Sequence, residues 1–397
     1  MLYTRFKDLN LSRLGYGIMR MPETKPRGPI NETEATALIE YAYEHGVNYF
    51  DTAFFYQACT SEQFIGKALA KFPRDTWYLA DKFPGNFMSI VDGGLKLEFG
   101  GFRMDDTVFG SPAEIFDLQL ERCGVDYFDF YLLHNLSEGT YDLYTDDGIG
   151  IVDYLLEQKK AGRIRHLGLS SHARPETIDK FLGRYDCFEY VQIQLNYLDW
   201  SLQDAGRKYE IITKHGLPVI VMEPLRGGKL AAPGEKGVAI LKSERPDDSP
   251  AKWAFRFLQS LPNVSVVLSG MNTMEHLKEN LNTFSRTEPA TESEKVILQQ
   301  VVDTMGRFLP CTACRYCCDT CPQKLNIPYL INILNETEIG VSWLVEDMLG
   351  SLSDEEKPQA CINCGACSPL CPQNIDIPGT MARFSTFLAN KKDPFSG

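Results

Sequence analysis

Nowhere in its 397 residues does this sequence carry an uninterrupted apolar run long enough to span a bilayer. Its first residues, MLYTRFKDLNLSRLGYG, scatter charge along the stretch and have neither the apolar centre nor the small-residue cleavage site of an export signal. No membrane association and a cytoplasmic location are therefore expected. Basic residues are in deficit: 40 Lys and Arg against 53 Asp and Glu leave a net charge of −13. Without a basic face to neutralise phosphates, no nucleic-acid partner is expected either. Low-complexity stretches are absent, and the one internal repeat is a duplicated cysteine block. What is present is the composition of folded domains, 44% hydrophobic and 23% charged, in a chain too long for one ordinary core.

Twelve cysteines would suggest disulfides in a short secreted chain, but eight of them fall in two tight blocks, which points to metal ligation. Both blocks read C-x2-C-x2-C-x3-C-P, at Cys311–Pro322 and Cys361–Pro372. In such a run the first three thiolates hold one [4Fe–4S] cube and the fourth reaches across to the other. The spacing thus predicts one cluster on Cys311, Cys314, Cys317 and Cys371, and a second on Cys361, Cys364, Cys367 and Cys321. Zinc is the rival for any C-x2-C pair, but zinc sites rarely place four cysteines and a proline in one such run, twice. Cys318 could in principle replace its neighbour Cys317, although spacing favours Cys317. With Cys59, Cys123 and Cys187 it is expected to be an ordinary thiol. Exposed cubes degrade in oxygen, so an anaerobic setting is expected.

Up to about Phe284, short apolar or β-branched runs alternate with amphipathic helical stretches, the pattern of parallel strands joined by βα units. Strands are expected near Gly15–Met21, Asn48–Ala53, Trp77–Phe83, Phe128–His134, Arg165–Ser171, Val191–Tyr197, Val219–Glu223 and Val264–Ser269. Eight such strands make the count of a closed (β/α)8 TIM barrel, so the fold class expected is α/β. Asn31 with Glu34 reads as a capping box, and Ser249-Pro250 as a cap with proline in the first turn. Two connections are long, Gly85–Ser111 and Ser137–Gly150; both follow strands and so belong over the rim where barrel enzymes build their sites. The divisions expected are a barrel over 1–285, a linker and lead-in helix over 286–305, and a helix-supplemented two-cluster ferredoxin-like domain over 306–397. Between the cysteine blocks, helical segments are expected around Tyr329–Asn335 and Val341–Leu349.

The run HGVNYFDTAFFY, with LADKFP and FYLLHNL after it, resembles the aldo/keto reductase family over about the first 285 residues. The C-terminal quarter is similar to a bacterial-type ferredoxin with two [4Fe–4S] clusters. Asp51 and Tyr56 keep the family's D-x4-Y separation, while Lys82 and His134 come at the ends of the third and fourth strands. The resemblance implies Tyr56 as proton donor, Lys82 as the cation that lowers its pKa, Asp51 as the partner of Lys82, and His134 as the group that orients a carbonyl. Chemistry agrees, because hydride addition leaves charge on oxygen that a nearby acid must quench.

Later motifs continue the likeness: GLSSH, VQIQLNY, VMEPLRGG and LSGMNTMEHLKEN. By that resemblance a nicotinamide dinucleotide, NADP or NAD, would meet Ser170, Ser171, Gln192 and Met222 at its ring. Its phosphates would fall on the turn Ser269, Gly270, Met271 and Asn272, and its adenine end near His276, Glu279 and Asn280. Ser171, Met222 and His276 stand where the family commonly has asparagine, an aromatic residue and arginine. Arg226 is a candidate substitute for that arginine, and a flavin is the alternative occupant. The function implied is NAD(P)H-dependent reduction of a carbonyl or related group on a small-molecule substrate, with clusters relaying electrons to or from an external electron-transfer protein. Alternatives are a ferredoxin-coupled flavin reductase and a non-catalytic dinucleotide-binding sensor.

Overall fold

The computed structural model describes residues 1–25, 28–98, 107–309, 311, 314–340 and 343–390. They fall into two compact units, one of 1–233 with 241–298 and another of 234–240 with 299–397. Among the described residues no helix is long and apolar enough to cross a membrane.

The first unit is built on a closed barrel of eight parallel strands: β1 (Leu14–Gly17), β2 (Tyr49–Asp51), β3 (Tyr78–Phe83), β4 (Phe128–Leu136), β5 (Ile164–Ser171), β6 (Val191–Gln194), β7 (Val219–Met222) and β8 (Val264–Ser269). Each pairs with its successor in sequence, and β8 closes on β1 through Val267, Leu268 and Ser269. Strands covered on both faces are largely apolar, and β2, β6 and β8 are buried at every position, Asp51, Gln192 and Gln194 included. An antiparallel hairpin, Tyr3–Phe6 with Leu9–Ser12, precedes the barrel. Its Phe6 and Leu11 pack with Tyr49, Phe130, Tyr190 and Val266 near the strand starts. One end is thereby filled with apolar side chains, and polar residues gather at the other, where the strands finish.

Both expected helix starts are formed. The Asn31 side chain accepts from Glu34 N at the head of Glu32–Glu44, and the Ser249 hydroxyl accepts from Lys252 N at the head of Pro250–Gln259. Neither long connection is featureless. Gly85–Ser111 holds a small antiparallel sheet of Met88–Val91, Gly94–Leu97 and Val108–Phe109, and its residues 99–106 lie outside the described set. Ser137–Gly150 holds one helical turn, Tyr141–Tyr144, whose buried Tyr144 hydroxyl donates to His134 O at 2.6 Å and Phe83 O at 3.3 Å. That bond leaves no room at Gly85, where an added Cβ would come within 2.5 Å of the same hydroxyl.

Residues 286–305, expected as a linker and lead-in helix, include the helix Glu292–Met305. Its Glu294 receives Arg256 Nη1 and Nη2 at 3.0 and 2.9 Å and Arg245 Nε at 2.6 Å. Glu294 is held at a pKa of about 2: burial opposes this, and the Arg256 guanidinium, the Thr291 amide and Arg245 outweigh it.

In the second unit, helices Ile327–Ile339, Trp343–Gly350 and Ile377–Ala389 share a core that includes Leu330, Leu334, Val345, Met381 and Phe384. The repeat is longer than the cysteines alone. CPQKLNIP and CPQNIDIP lead from each fourth cysteine into a helix that opens on Ile-Pro, at Ile327 and Ile377. Backbone angles repeat as well: Arg315 (φ 67°) matches Gly365 (φ 75°), and Lys324 (φ 55°) matches Asn374 (φ 52°).

Candidate active site and cluster ligands

Asp51 closes β2, Lys82 is the penultimate residue of β3, and His134 is the third residue from the end of β4. Side chains alternate along a strand, so Lys82 faces the barrel interior while its neighbour Asp81 faces the helical layer. The Lys82 ammonium is fully buried and donates to Asp51 Oδ1 and to Thr52 O, each at 2.6 Å. It also lies 4.8 Å from the centroid of the Tyr56 ring, and His134 meets that ring edge-on at 6.0 Å. All four expected catalytic side chains thus come together.

Charge is set by burial against these contacts. For Lys82, burial pulls toward the neutral amine, but Asp51, Tyr56 and Asp81 together outweigh it and hold the ammonium above its ordinary range. Asp51 is itself raised by burial, with Lys82 pulling it back. Tyr56 departs from expectation: burial raises it more than Lys82 lowers it, with Asp51 and Glu223 adding to the rise. The phenol is therefore held protonated, as a proton donor must be before it acts. His134 is pushed well below its ordinary value by burial, then by Lys82 and His172, and is a neutral imidazole at physiological pH.

The turn that carries Tyr56 is strained. Gln57, Ala58 and Cys59 all adopt left-handed angles, with φ of 52°, 52° and 64°, which disfavour residues bearing a Cβ. Outside the barrel wall, Arg122 holds this turn: Nη2 donates to Cys59 O at 2.6 Å, and Nη1 lies 2.9 Å from Glu62 Oε2. Gln119 Nε2 in turn donates to Glu62 Oε1 at 2.8 Å and to Lys82 O at 3.0 Å. The brace of Glu62, Gln119 and Arg122 links the backbones that carry Tyr56 and Lys82. It was not read from the sequence; the one available signal was Glu62 on the apolar face of the helix Ser61–Leu69.

Around the expected dinucleotide positions, the Ser170 and Ser171 hydroxyls bond the backbone of β4. Ser170 Oγ accepts from Asn135 N at 2.8 Å, and Ser171 Oγ donates to Leu136 O at 2.8 Å. Among the described residues, two buried amide oxygens, Gln192 Oε1 and Asn135 Oδ1, have no hydrogen-bond partner, and neither does His134 Nδ1. Buried polar atoms are rarely left so. Asn135, with φ 56°, is a residue that sequence reasoning missed. Gln192 Nε2 points at Met222 Sδ, 3.7 Å away. After β8, the buried Asn280 amide donates to Ser269 Oγ at 3.0 Å, and Tyr16 Oη donates to Met271 O, fixing the turn that contains Gly270 and Asn272. Thr273 caps the helix Met274–Thr283 through His276 N, and the His276 ring bonds Asn272 Oδ1 at 3.1 Å. Glu279 accepts from the Ser249 hydroxyl. Ten residues of helix with its first amides beside this turn suit a phosphate, and orphaned amide oxygens suit a carboxamide NH2, so these walls fit a nicotinamide dinucleotide. Arg226 does not fit the role of phosphate grip, since its Nη1 lies 2.8 Å from buried Asp199 Oδ1 and its side chain is only 10% exposed. A freer cation is Arg20, paired with Glu223 at 2.9 Å.

In the second unit, one hollow of about 310 Å³ is lined by Cys311, Cys314, Cys317 and Cys371. Another of about 350 Å³ is lined by Cys361, Cys364, Cys367 and Cys321. These are the two crossed sets that the spacing predicts, and Cys318 lines neither hollow. Proline, isoleucine, leucine and methionine supply most of the remaining walls. A single zinc ion at bonds of about 2.3 Å would draw four sulfurs into contact around it; four thiols set in largely apolar walls, twice over, fit cubes of iron and sulfide.

Fold and site together define an oxidoreductase built on a (β/α)8 barrel. Residues 13–298 match the Aldo/keto reductase family, and residues 310–375 match a 4Fe-4S dicluster domain. The chain belongs to the aldo/keto reductase family. It is similar to the versiconal hemiacetal acetate reductase of Aspergillus parasiticus, 27% identical over 329 residues that cover 75% of this chain and 94% of that one. The NADH-specific methylglyoxal reductase of Escherichia coli is 26% identical over 333 residues, covering 76% and 97%. Among solved structures, the holo form of an aldo-keto reductase from Bacillus halodurans superposes with a TM-score of 0.58 at 27% identity, over 76% of this chain and 96% of that one.

Proposed function

We propose that the barrel reduces a carbonyl on a small molecule with NAD(P)H, and that the C-terminal unit carries two [4Fe–4S] clusters as single-electron relays. The observation that carries the first half is the buried Lys82 ammonium, bonded to Asp51 and facing the Tyr56 ring. A bound nicotinamide would supply hydride, and the clusters would pass electrons singly. The chain's own residues do the rest. Neutral His134 donates a hydrogen bond that orients the substrate oxygen. Tyr56, protonated at rest, gives its proton to that oxygen as charge develops there. The phenolate left behind is stabilised by Lys82, which Asp51 keeps charged and in place. Relatives named for a hemiacetal acetate and for methylglyoxal support a small carbonyl substrate.

The carbonyl chemistry moves an electron pair and the relays move single electrons, so joining them requires a converter such as a flavin. Anaerobically purified protein is to be titrated with NADPH, NADH and flavin, followed by absorbance, and assayed with a small aldehyde. Saturable nicotinamide binding and aldehyde turnover support the proposal. Flavin bands with no nicotinamide binding would replace it with the flavin-coupled reading. Nicotinamide binding without turnover, unchanged by Tyr56→Phe, would favour a sensor.

A further inference from the structure

The two cluster hollows are related by a fifty-residue shift. Cys311, Cys314, Cys317 and Cys371 of one correspond to Cys361, Cys364, Cys367 and Cys321 of the other, and Pro328 corresponds to Pro378. At one wall position the correspondence changes charge. Arg315 lines the first hollow, Gly365 takes its place in the second, and no other lining residue of either hollow carries a formal side-chain charge apart from the thiolates. Both positions have the left-handed backbone, φ 67° and 75°, which glycine adopts freely and arginine does not. Arginine is thus held where the backbone favours glycine, which calls for a reason beyond the fold.

Arg315 Nη1 bonds Asn326 Oδ1 at 3.4 Å, so its neighbour is neutral. The counterpart of Asn326 is Asp376, whose carboxylate caps the helix Ile377–Ala389 through Gly379 N at 3.2 Å. Asn326 and Asp376 themselves line neither hollow, so the wall charge that separates the two is that of Arg315. Lys324 and Asp319 lie nearby in sequence but line neither hollow.

From this asymmetry we infer that the two clusters are not equivalent carriers: the cube on Cys311, Cys314, Cys317 and Cys371 accepts an electron at the higher potential. Reduction adds one negative charge to a cube, and a cation in its wall stabilises that charge. One electron leaves the cube on Cys361, Cys364, Cys367 and Cys321, which is oxidised, and enters the other, which is reduced. The relay therefore runs downhill toward the block that contains Arg315. The inference rests on the proposed two-cluster reading, but not on what the barrel reduces.

The test is a potentiometric titration of the full-length, anaerobically reconstituted protein, followed by electron paramagnetic resonance, after iron and sulfide have been counted. Where the lower-potential cube is half reduced, the other should be at least tenfold more reduced than oxidised, a gap of about 59 mV for one electron. Arg315→Gly suits its left-handed backbone and should fold; it should lower the upper wave and leave the lower one in place. Two waves that coincide, or an upper wave indifferent to Arg315→Gly, would overturn the inference. A count of one cube or none would instead overturn the two-cluster reading, before any potential is measured.

Discussion

Lys82 Nζ lies 2.6 Å from Asp51 Oδ1, with neither side chain more than 3% exposed. Such a pair resists the loss of one member more than the loss of both, because a lone buried charge keeps its desolvation cost without compensation. Lys82→Met should therefore lower unfolding stability by about 3–5 kcal/mol. Asp51→Leu combined with Lys82→Met should recover most of that loss, although activity stays absent. Urea unfolding of Lys82→Met, of Asp51→Leu and of the double variant measures both effects, and additive losses would refute the coupling.

Tyr56→Phe removes the proposed proton donor and nothing that the dinucleotide walls require. Aldehyde reduction should fall by about 10²–10⁴-fold, with nicotinamide affinity within a factor of about three of the parent. Steady-state rates and a fluorescence titration report the two quantities separately.

His172 is held at a pKa of about 3 by burial and by Lys208, against an ordinary value near 6.5 in the unfolded chain. Between those values the unfolded state binds the extra proton, so stability is lost as pH falls from about 6.5, at up to about 1.4 kcal/mol per pH unit for this group. The raised carboxyl of Asp81, pushed up by burial and then by Glu62, works in the opposite direction. The clean measurement is a difference. His172→Gln should flatten the loss of stability between about pH 6 and 4 by close to one proton. An unchanged slope would show that His172 is not neutral in the folded protein.

Cys371→Ser should remove the cluster of the first block while sparing that of the second, and Cys321→Ser the reverse. Each variant should retain about four of about eight irons. Cys318→Ser should retain all of them. Iron analysis with resonance Raman or paramagnetic resonance distinguishes this pattern from two self-contained blocks, in which losing Cys371 would instead empty the site of Cys361, Cys364 and Cys367.

Much of the barrel was legible because a strand covered on both faces leaves a short, largely apolar or β-branched run between helical stretches. β8 was expected at its observed bounds, and the other seven within a few residues. The misses occurred at strand ends. β1 was expected to continue to Met21, but it stops at Gly17 and Ile18–Arg20 form a single tight turn. β4 continues past His134 to Leu136, where Asn135 turns left-handed and leaves its amide oxygen unpaired. Apolar content does not report where hydrogen bonding to a neighbouring strand ends.

For the site, D-x4-Y and the two lysine and histidine strand ends were readable as a set, but the sign of Tyr56's shift was not. A lysine nearby suggested a lowered value, and burial reversed the outcome. Glu62, Gln119 and Arg122 were invisible for a similar reason. An acid, an amide and a base on two separate helices look like solvent-facing residues until the helices meet.

The sequence by itself determined which atoms can act: eight thiolates at fixed intervals, and a phenol, an ammonium, a carboxylate and an imidazole at the ends of three strands. Interval and periodicity are local properties, and local steric rules are enough to read them. Only the tertiary structure decided what those atoms are when they act: Tyr56 protonated, His134 neutral, and Arg315 in the wall of one hollow with Gly365 in the other. Burial and Coulomb interaction depend on distances between residues remote in the chain, and folding alone sets those distances.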